Sequence, residues 1–156
     1  MRGCSKLSSL EPLRAFSQLL KLNARDCGAL SSLQPLSALT QLQLLDISSC
    51  EGVSCLQFIA NCTQLVDLNL SANSPNYYGY GEVPALSSAL SSLQPLSSLT
   101  NLQVLDISGC MAVSSLDPLS AFTQLWVLDM RGCNSTGCKS VLSVEPLSAL
   151  TQLEGC

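Results

Sequence analysis

Nine cysteines in 156 residues, with no histidine, are the first chemistry this chain could carry. Cys4, Cys27 and Cys50 are spaced 23 residues apart, and Cys110 and Cys133 repeat that spacing. A thiolate can act as a nucleophile, a redox centre or a zinc ligand. Without histidine there is no Cys-His or Ser-His-Asp arrangement and no imidazole metal site. Four convergent zinc ligands cannot be assembled from what remains. An odd number of thiols placed by a period is not a disulfide framework. Cys62 takes the place of a core leucine, whereas Cys55 and Cys138 fall outside the series and are expected at the surface.

A second series, Asn23, Asp46, Asn69, Asp106 and Asp129, follows the same period outside its one interruption. Paired carboxylates can perform general acid and base catalysis. An open ladder of them offers no pocket, no proton-shuttling neighbour and no perturbed environment. No catalytic residue, no metal and no cofactor is therefore expected, and the chain is not read as an enzyme.

Both series are carried by one repeated unit. Numbered from its first apolar residue, the unit is apolar at positions 1, 4, 7, 10, 13, 16 and 18, with Cys or Asn at 21. The second copy shows this with Leu30, Leu33, Leu36, Leu39, Leu42, Leu45, Ile47 and Cys50. Copies begin at Leu7, Leu30, Val53, Leu90 and Val113, and a sixth begins at Val141 and stops after Leu153. The expected organisation is a single repeat domain over 1–156, with about five full 23-residue repeats and partial repeats at both ends. Insertions fall at 74–89 and 134–140. Met1 to Cys4 match Met130 to Cys133, so the chain opens partway through a repeat, and neither end carries a polar cap; a fragment is expected.

Position 16 and position 18 point inward if positions 15 to 19 form a short strand, which sends 15, 17 and 19 outward. Strands of successive coils then stack in parallel. Apolar residues at every third position from 1 to 13 suit a three-per-turn backbone. Pro12, Pro35, Pro95, Pro118 and Pro146 all stand at position 6 and disfavour a long helix. The fold class is an α/β-type solenoid, with a parallel concave β-sheet and short 3-10 or extended convex segments.

The prolines after Glu11, Gln34, Gln94, Asp117 and Glu145, with the LTxL and LDIS steps, resemble the short-repeat class of leucine-rich repeat proteins. That class includes the bacterial internalins and a protein-phosphatase regulatory subunit. Its unit is usually one residue longer, and it favours Asn at position 21; Cys there is similar to the repeats of some F-box proteins. The resemblance implies a right-handed superhelix, inward position-21 side chains bonded to the turn backbone, so that Cys4, Cys27, Cys50, Cys110 and Cys133 are small, buried, reduced core fillers, and binding of protein partners on the concave face.

That face would be built from Lys21, Asn23 and Arg25; Leu44, Asp46 and Ser48; Asp67, Asn69 and Ser71; Val104, Asp106 and Ser108; and Val127, Asp129 and Arg131. With strands about 4.8 Å apart, neighbouring carboxylates repel by roughly 1 kcal/mol in a water-like dielectric, which the asparagines relieve. An acidic spine edged by Lys21, Arg25 and Arg131 suits a partner segment rich in Lys or Arg. Tyr77, Tyr78 and Tyr80, in the longer insertion, are expected to overhang one rim, with Trp126 on the other edge.

The formal net charge of −4 argues against nucleic acid as a partner. There is no membrane span and no signal-peptide core in the sequence. A cytoplasmic, non-enzymatic interaction module is expected, monomeric unless uncapped ends associate. The alternative is a segment of a secreted or cell-surface recognition protein, to which the internalin resemblance points and which the Asn-x-Ser/Thr sites at Asn61, Asn69 and Asn134 permit.

Overall fold

The computed structural model describes residues 1–72, 90–110, 112–131 and 143–153. Five three-residue strands, β1 (Lys21–Asn23), β2 (Leu44–Asp46), β3 (Asp67–Asn69), β4 (Val104–Asp106) and β5 (Val127–Asp129), form one parallel sheet in chain order. Register never slips: Leu22, Leu45, Leu68, Leu105 and Leu128 are aligned across all five strands. The alignment of Leu68 with Leu105 carries it across residues 73–89. The expected insertions at 74–89 and 134–140, with Tyr77, Tyr78, Tyr80 and Cys138, lie outside the described residues.

The period of three on the convex side has a backbone cause. In the second coil, the N–H of Leu36 donates to Leu33 O at 2.9 Å, that of Leu39 to Leu36 O at 2.9 Å, and that of Leu42 to Leu39 O at 3.1 Å. Each such bond spans three residues and returns the next apolar side chain to the same inward face. Short 3-10 turns result, Glu11–Ala15, Gln34–Ala38, Gln57–Ile59, Gln94–Leu96, Asp117–Ala121 and Glu145–Ala149. Proline stands in the first turn of all but Gln57–Ile59, where its missing N–H leaves no bond unmade. A serine two residues before each of these five turns accepts the first N–H. Ser32 Oγ, for example, receives Gln34 N at 3.2 Å. Cys55 occupies that place in the third coil.

Inward side chains of the middle coils are sealed, and Leu45, Leu68 and Leu105 are at most 2% exposed. Cys27, Cys50, Cys62 and Cys110 are equally buried. Each of these thiols donates to a carbonyl of the preceding coil: Cys27 Sγ to Met1 O at 3.1 Å, Cys50 Sγ to Ala24 O at 3.1 Å, Cys62 Sγ to Leu36 O at 3.4 Å and Cys110 Sγ to Leu70 O at 3.4 Å. The first coil differs from the sequence expectation. Phe16, at a core position, is 57% exposed, and Leu7, Leu13 and Leu19 are half-buried. A solenoid side chain is sealed only where coils lie on both sides of it, and Cys4 is exposed for the same reason.

In four coils position 20 turns the chain out of the strand with a left-handed backbone, at Gly3 (φ 70), Asp26 (φ 57), Ser49 (φ 54) and Gly109 (φ 76), whereas Ala72 in the third coil does not. That conformation strains every residue with a Cβ. Ser49→Gly is therefore expected to raise the urea midpoint, by about 0.5–1 kcal/mol of stability.

Candidate functional site

The sheet's solvent face is made by positions 15 and 17, two ranks running across all five strands. Position 19 joins them only in the first and last coils, where Arg25 is half-buried and Arg131 exposed. Ser48 and Ser108 are 1% exposed and Ser71 is 7% exposed, so the three serines expected on this face are buried. The reason lies in the rank beside them. Asp46 Oδ1 accepts the N–H of Ser48 at 3.0 Å and its hydroxyl at 2.6 Å. Asn69 Oδ1 accepts Ser71 N at 2.9 Å, and Asp106 Oδ1 accepts Ser108 N at 2.8 Å. The outer coils repeat the bond, Arg25 N to Asn23 Oδ1 at 3.1 Å and Arg131 N to Asp129 Oδ1 at 3.0 Å. Every residue at position 17 folds its oxygen onto the backbone two residues on, the local bond for which Asp and Asn are suited.

The acidic spine is thus largely committed to holding the turns. Asn23 Nδ2 also donates to Asp46 Oδ2 at 2.9 Å, an attraction where two carboxylates would repel. Asp129 is wrapped by Arg131, with Nε at 3.0 Å from both carboxylate oxygens and Nη2 at 2.6 Å from Oδ2. Those hydrogen bonds hold the Asp129 carboxyl below the usual carboxylate range. Arg25 leans on Asp26, with Nε 3.3 Å from Oδ2.

Position 15 is different. Its rank reads Lys21, Leu44, Asp67, Val104 and Val127, aligned strand to strand. Among the described residues, neither the Lys21 ammonium nor the Asp67 carboxylate has a hydrogen-bond or ion-pair partner. Burial, and then the charges of Asp46 and Asp106, raise the Asp67 pKa above its ordinary value. A carboxyl whose pKa rises on folding is most favourable to the fold below its unfolded pKa and loses that contribution as pH rises through the folded value. Asp67→Asn is therefore expected to stabilise the chain at pH 7, by about 0.5 kcal/mol, and to leave it unchanged near pH 3. Urea titrations at the two pH values give the comparison.

Lys21, Asn23, Leu44, Asp46, Asp67 and Asn69 surround a shallow depression of about 430 Å³ floored by Leu22 and Leu45. Val104 and Val127 continue the rank into β4 and β5, and Trp126, the residue before β5, is 42% exposed. No three Cys, Asp or Glu side chains among the described residues come together as a metal site. Burial pushes the Cys50 and Cys62 thiols up to about 11, which keeps these two protonated at neutral pH. Among the described residues this face presents the Lys21 cation, the Asp67 anion and half-buried apolar side chains between and beyond them.

Neither a protein-family model nor a curated protein sequence matches the chain. Among solved structures it is similar to an internalin (inlF) of Listeria monocytogenes, at 24% identity and a TM-score of 0.57 over 94% of this chain. Internalin C2 (inlC2) of the same organism aligns over 94% of it at 18% identity and a TM-score of 0.60. The chain folds as a leucine-rich repeat solenoid. This leucine-rich repeat chain spans 43% and 64% of the lengths of those two structures. The pattern of short strands joined by 3-10 turns, with no helix among the described residues long and apolar enough to cross a membrane, belongs to that architecture.

Proposed function

We propose that this leucine-rich repeat chain is a non-enzymatic interaction module that binds a protein partner on its concave face. The observation that carries the reading is the position-15 rank, where two charged side chains and exposed aliphatic surface stand without intramolecular partners among the described residues while the rank beside it is consumed by the fold. Asp46, Asp67 and Asp106, with the neutral Asn23 and Asn69 beside them, contribute a negative field that favours a basic segment. Leu44, Val104, Val127 and Trp126 supply apolar contact area, and Trp is a side chain common at binding hot spots. Leu44→Arg places a long cation in the middle of the face without touching the core. Bound partner should fall at least about ten-fold in affinity capture, because a charge is then desolvated against the partner, and the melting temperature should stay the same. Equal capture by both proteins would move the binding surface elsewhere.

The compartment in which this happens is proposed to be reducing, hence cytoplasmic. Cys27, Cys50, Cys62 and Cys110 are free thiols sealed in the core, and Cys4 and Cys55 are free and exposed. The likeness to the internalins favours the second reading, a segment of a secreted or surface recognition protein. Thiol titration of the purified chain in denaturant without reductant separates the two. Nearly all nine thiols free fits the cytoplasmic module, and mostly oxidised cysteines fit the exported one.

A further inference from the structure

We propose that the position-15 rank selects an extended protein segment carrying a carboxylate and, further along, a cation, the carboxylate set against Lys21 and the cation against Asp67. The inference rests on the reading of the concave face as the binding surface and adds the chemistry of what binds there.

Four observations support it. Lys21 and Asp67 lie on one rank with Leu44 between them. They are the charged side chains of the two outward ranks that have no partner among the described residues, since Asp46, Asp106 and Asp129 are all bonded. No counter-ion can come from the middle of the chain, because Cys27 to Met130 contains seven Asp or Glu and neither Lys nor Arg. Five of the seven cations sit on the N-terminal side, as Arg2, Lys6, Arg14, Lys21 and Arg25, and the other two are Arg131, which is bonded to Asp129, and Lys139. The face is therefore graded from positive at β1 to negative at β3 and β4, and a segment of opposite polarity is its complement.

Spacing narrows the partner further. Two strand intervals separate Lys21 from Asp67, about 9.6 Å, and a segment in the polyproline-II form advances about 3.1 Å per residue and returns to the same face every third residue, so the two partner charges fall about three residues apart. The intervening residues pass over Leu44, which is half-exposed. Those beyond the cation reach Val104, Val127 and Trp126 and are best apolar. The predicted recognition pattern is Asp or Glu, two residues, Lys or Arg, then aliphatic side chains, readable in either chain direction.

The test is a phage-displayed library of random linear peptides panned on the full chain, with Leu44→Arg and Val104→Arg as parallel targets that block the face at two places. Support would be peptides enriched on the wild type, lost on both blocked variants and sharing the charge pair at that spacing. Their affinity, read by fluorescence anisotropy, should fall about five-fold with Asp67→Asn. Replacing the peptide's own cation by Gln should then cause no further loss. Peptides that are lost on the blocked variants but lack the charge pair, or ignore both Lys21→Gln and Asp67→Asn, would overturn this inference and leave the concave face as the binding surface. No enrichment, or peptides that bind the blocked variants equally well, would overturn both.

Discussion

Leu105→Asp is expected to leave the chain without a cooperative unfolding transition. Leu105 is 0% exposed at the centre of β4, between Leu68 of β3 and Leu128 of β5. Removing its side chain forfeits about 1.5–3 kcal/mol of apolar burial, and the carboxylate that replaces it must be desolvated without a partner, at a cost of several kcal/mol more. Whole domains are stable by only about 5–15 kcal/mol. The damage also spreads, because each coil of a solenoid is stabilised chiefly by its neighbours and β4 joins the first three strands to the last. Thermal unfolding followed by circular dichroism gives the readout. A variant that kept its melting temperature would contradict the register of Leu22, Leu45, Leu68, Leu105 and Leu128.

Gly52→Ala should be the most damaging small change on the convex side. A Cβ there would stand 2.5 Å from the carbonyl oxygen of Leu30 and 3.2 Å from Cα of Ser31, both backbone atoms of the preceding coil. Backbone cannot swing aside as a side chain can, so the second and third coils must separate. The expected loss is about 1–3 kcal/mol. Gly28→Ala is the control, since nothing lies within 4 Å of a Cβ at that site. A drop in the urea midpoint for Gly52→Ala alone would establish the close approach, and equal midpoints would exclude it.

Much of this architecture is legible in the residues. A period of 23 with apolar residues every third position leaves little freedom for the convex backbone, and proline at position 6 removes a long helix from it. The inward cysteines follow from the resemblance to leucine-rich repeats, and the structure adds the carbonyls that receive them. Alternation along a strand is where the sequence misleads. It treats positions 15, 17 and 19 as three equal outward ranks, yet in the middle coils 19 is buried as Ser48, Ser71 and Ser108, and 17 is occupied by the turn. A local signal for this was present in Asp46 and Ser48, Asn69 and Ser71, and Asp106 and Ser108, each an Asp or Asn followed two residues on by Ser, the pattern of a side chain bonded to its own turn. The left-handed turns were marked by Gly3 and Gly109 but hidden by Asp26 and Ser49. Exposure of Phe16 was invisible to a pattern that makes every coil alike, because burial in a solenoid belongs to pairs of coils and not to single ones.

The division of the concave face into a rank that holds the fold and a rank left free to bind can be read in the unfolding free energies of two variants at pH 7. Asp106→Ala removes the acceptor of the Ser108 N–H and should destabilise the chain by about 1 kcal/mol. Asp67→Asn removes a raised, unpartnered carboxylate and should leave the chain equally or more stable. Opposite signs, or a loss confined to Asp106→Ala, are the predicted result. A loss at Asp67→Asn with none at Asp106→Ala would contradict it, and would make the position-17 spine, rather than Lys21 and Asp67, the rank left free to bind.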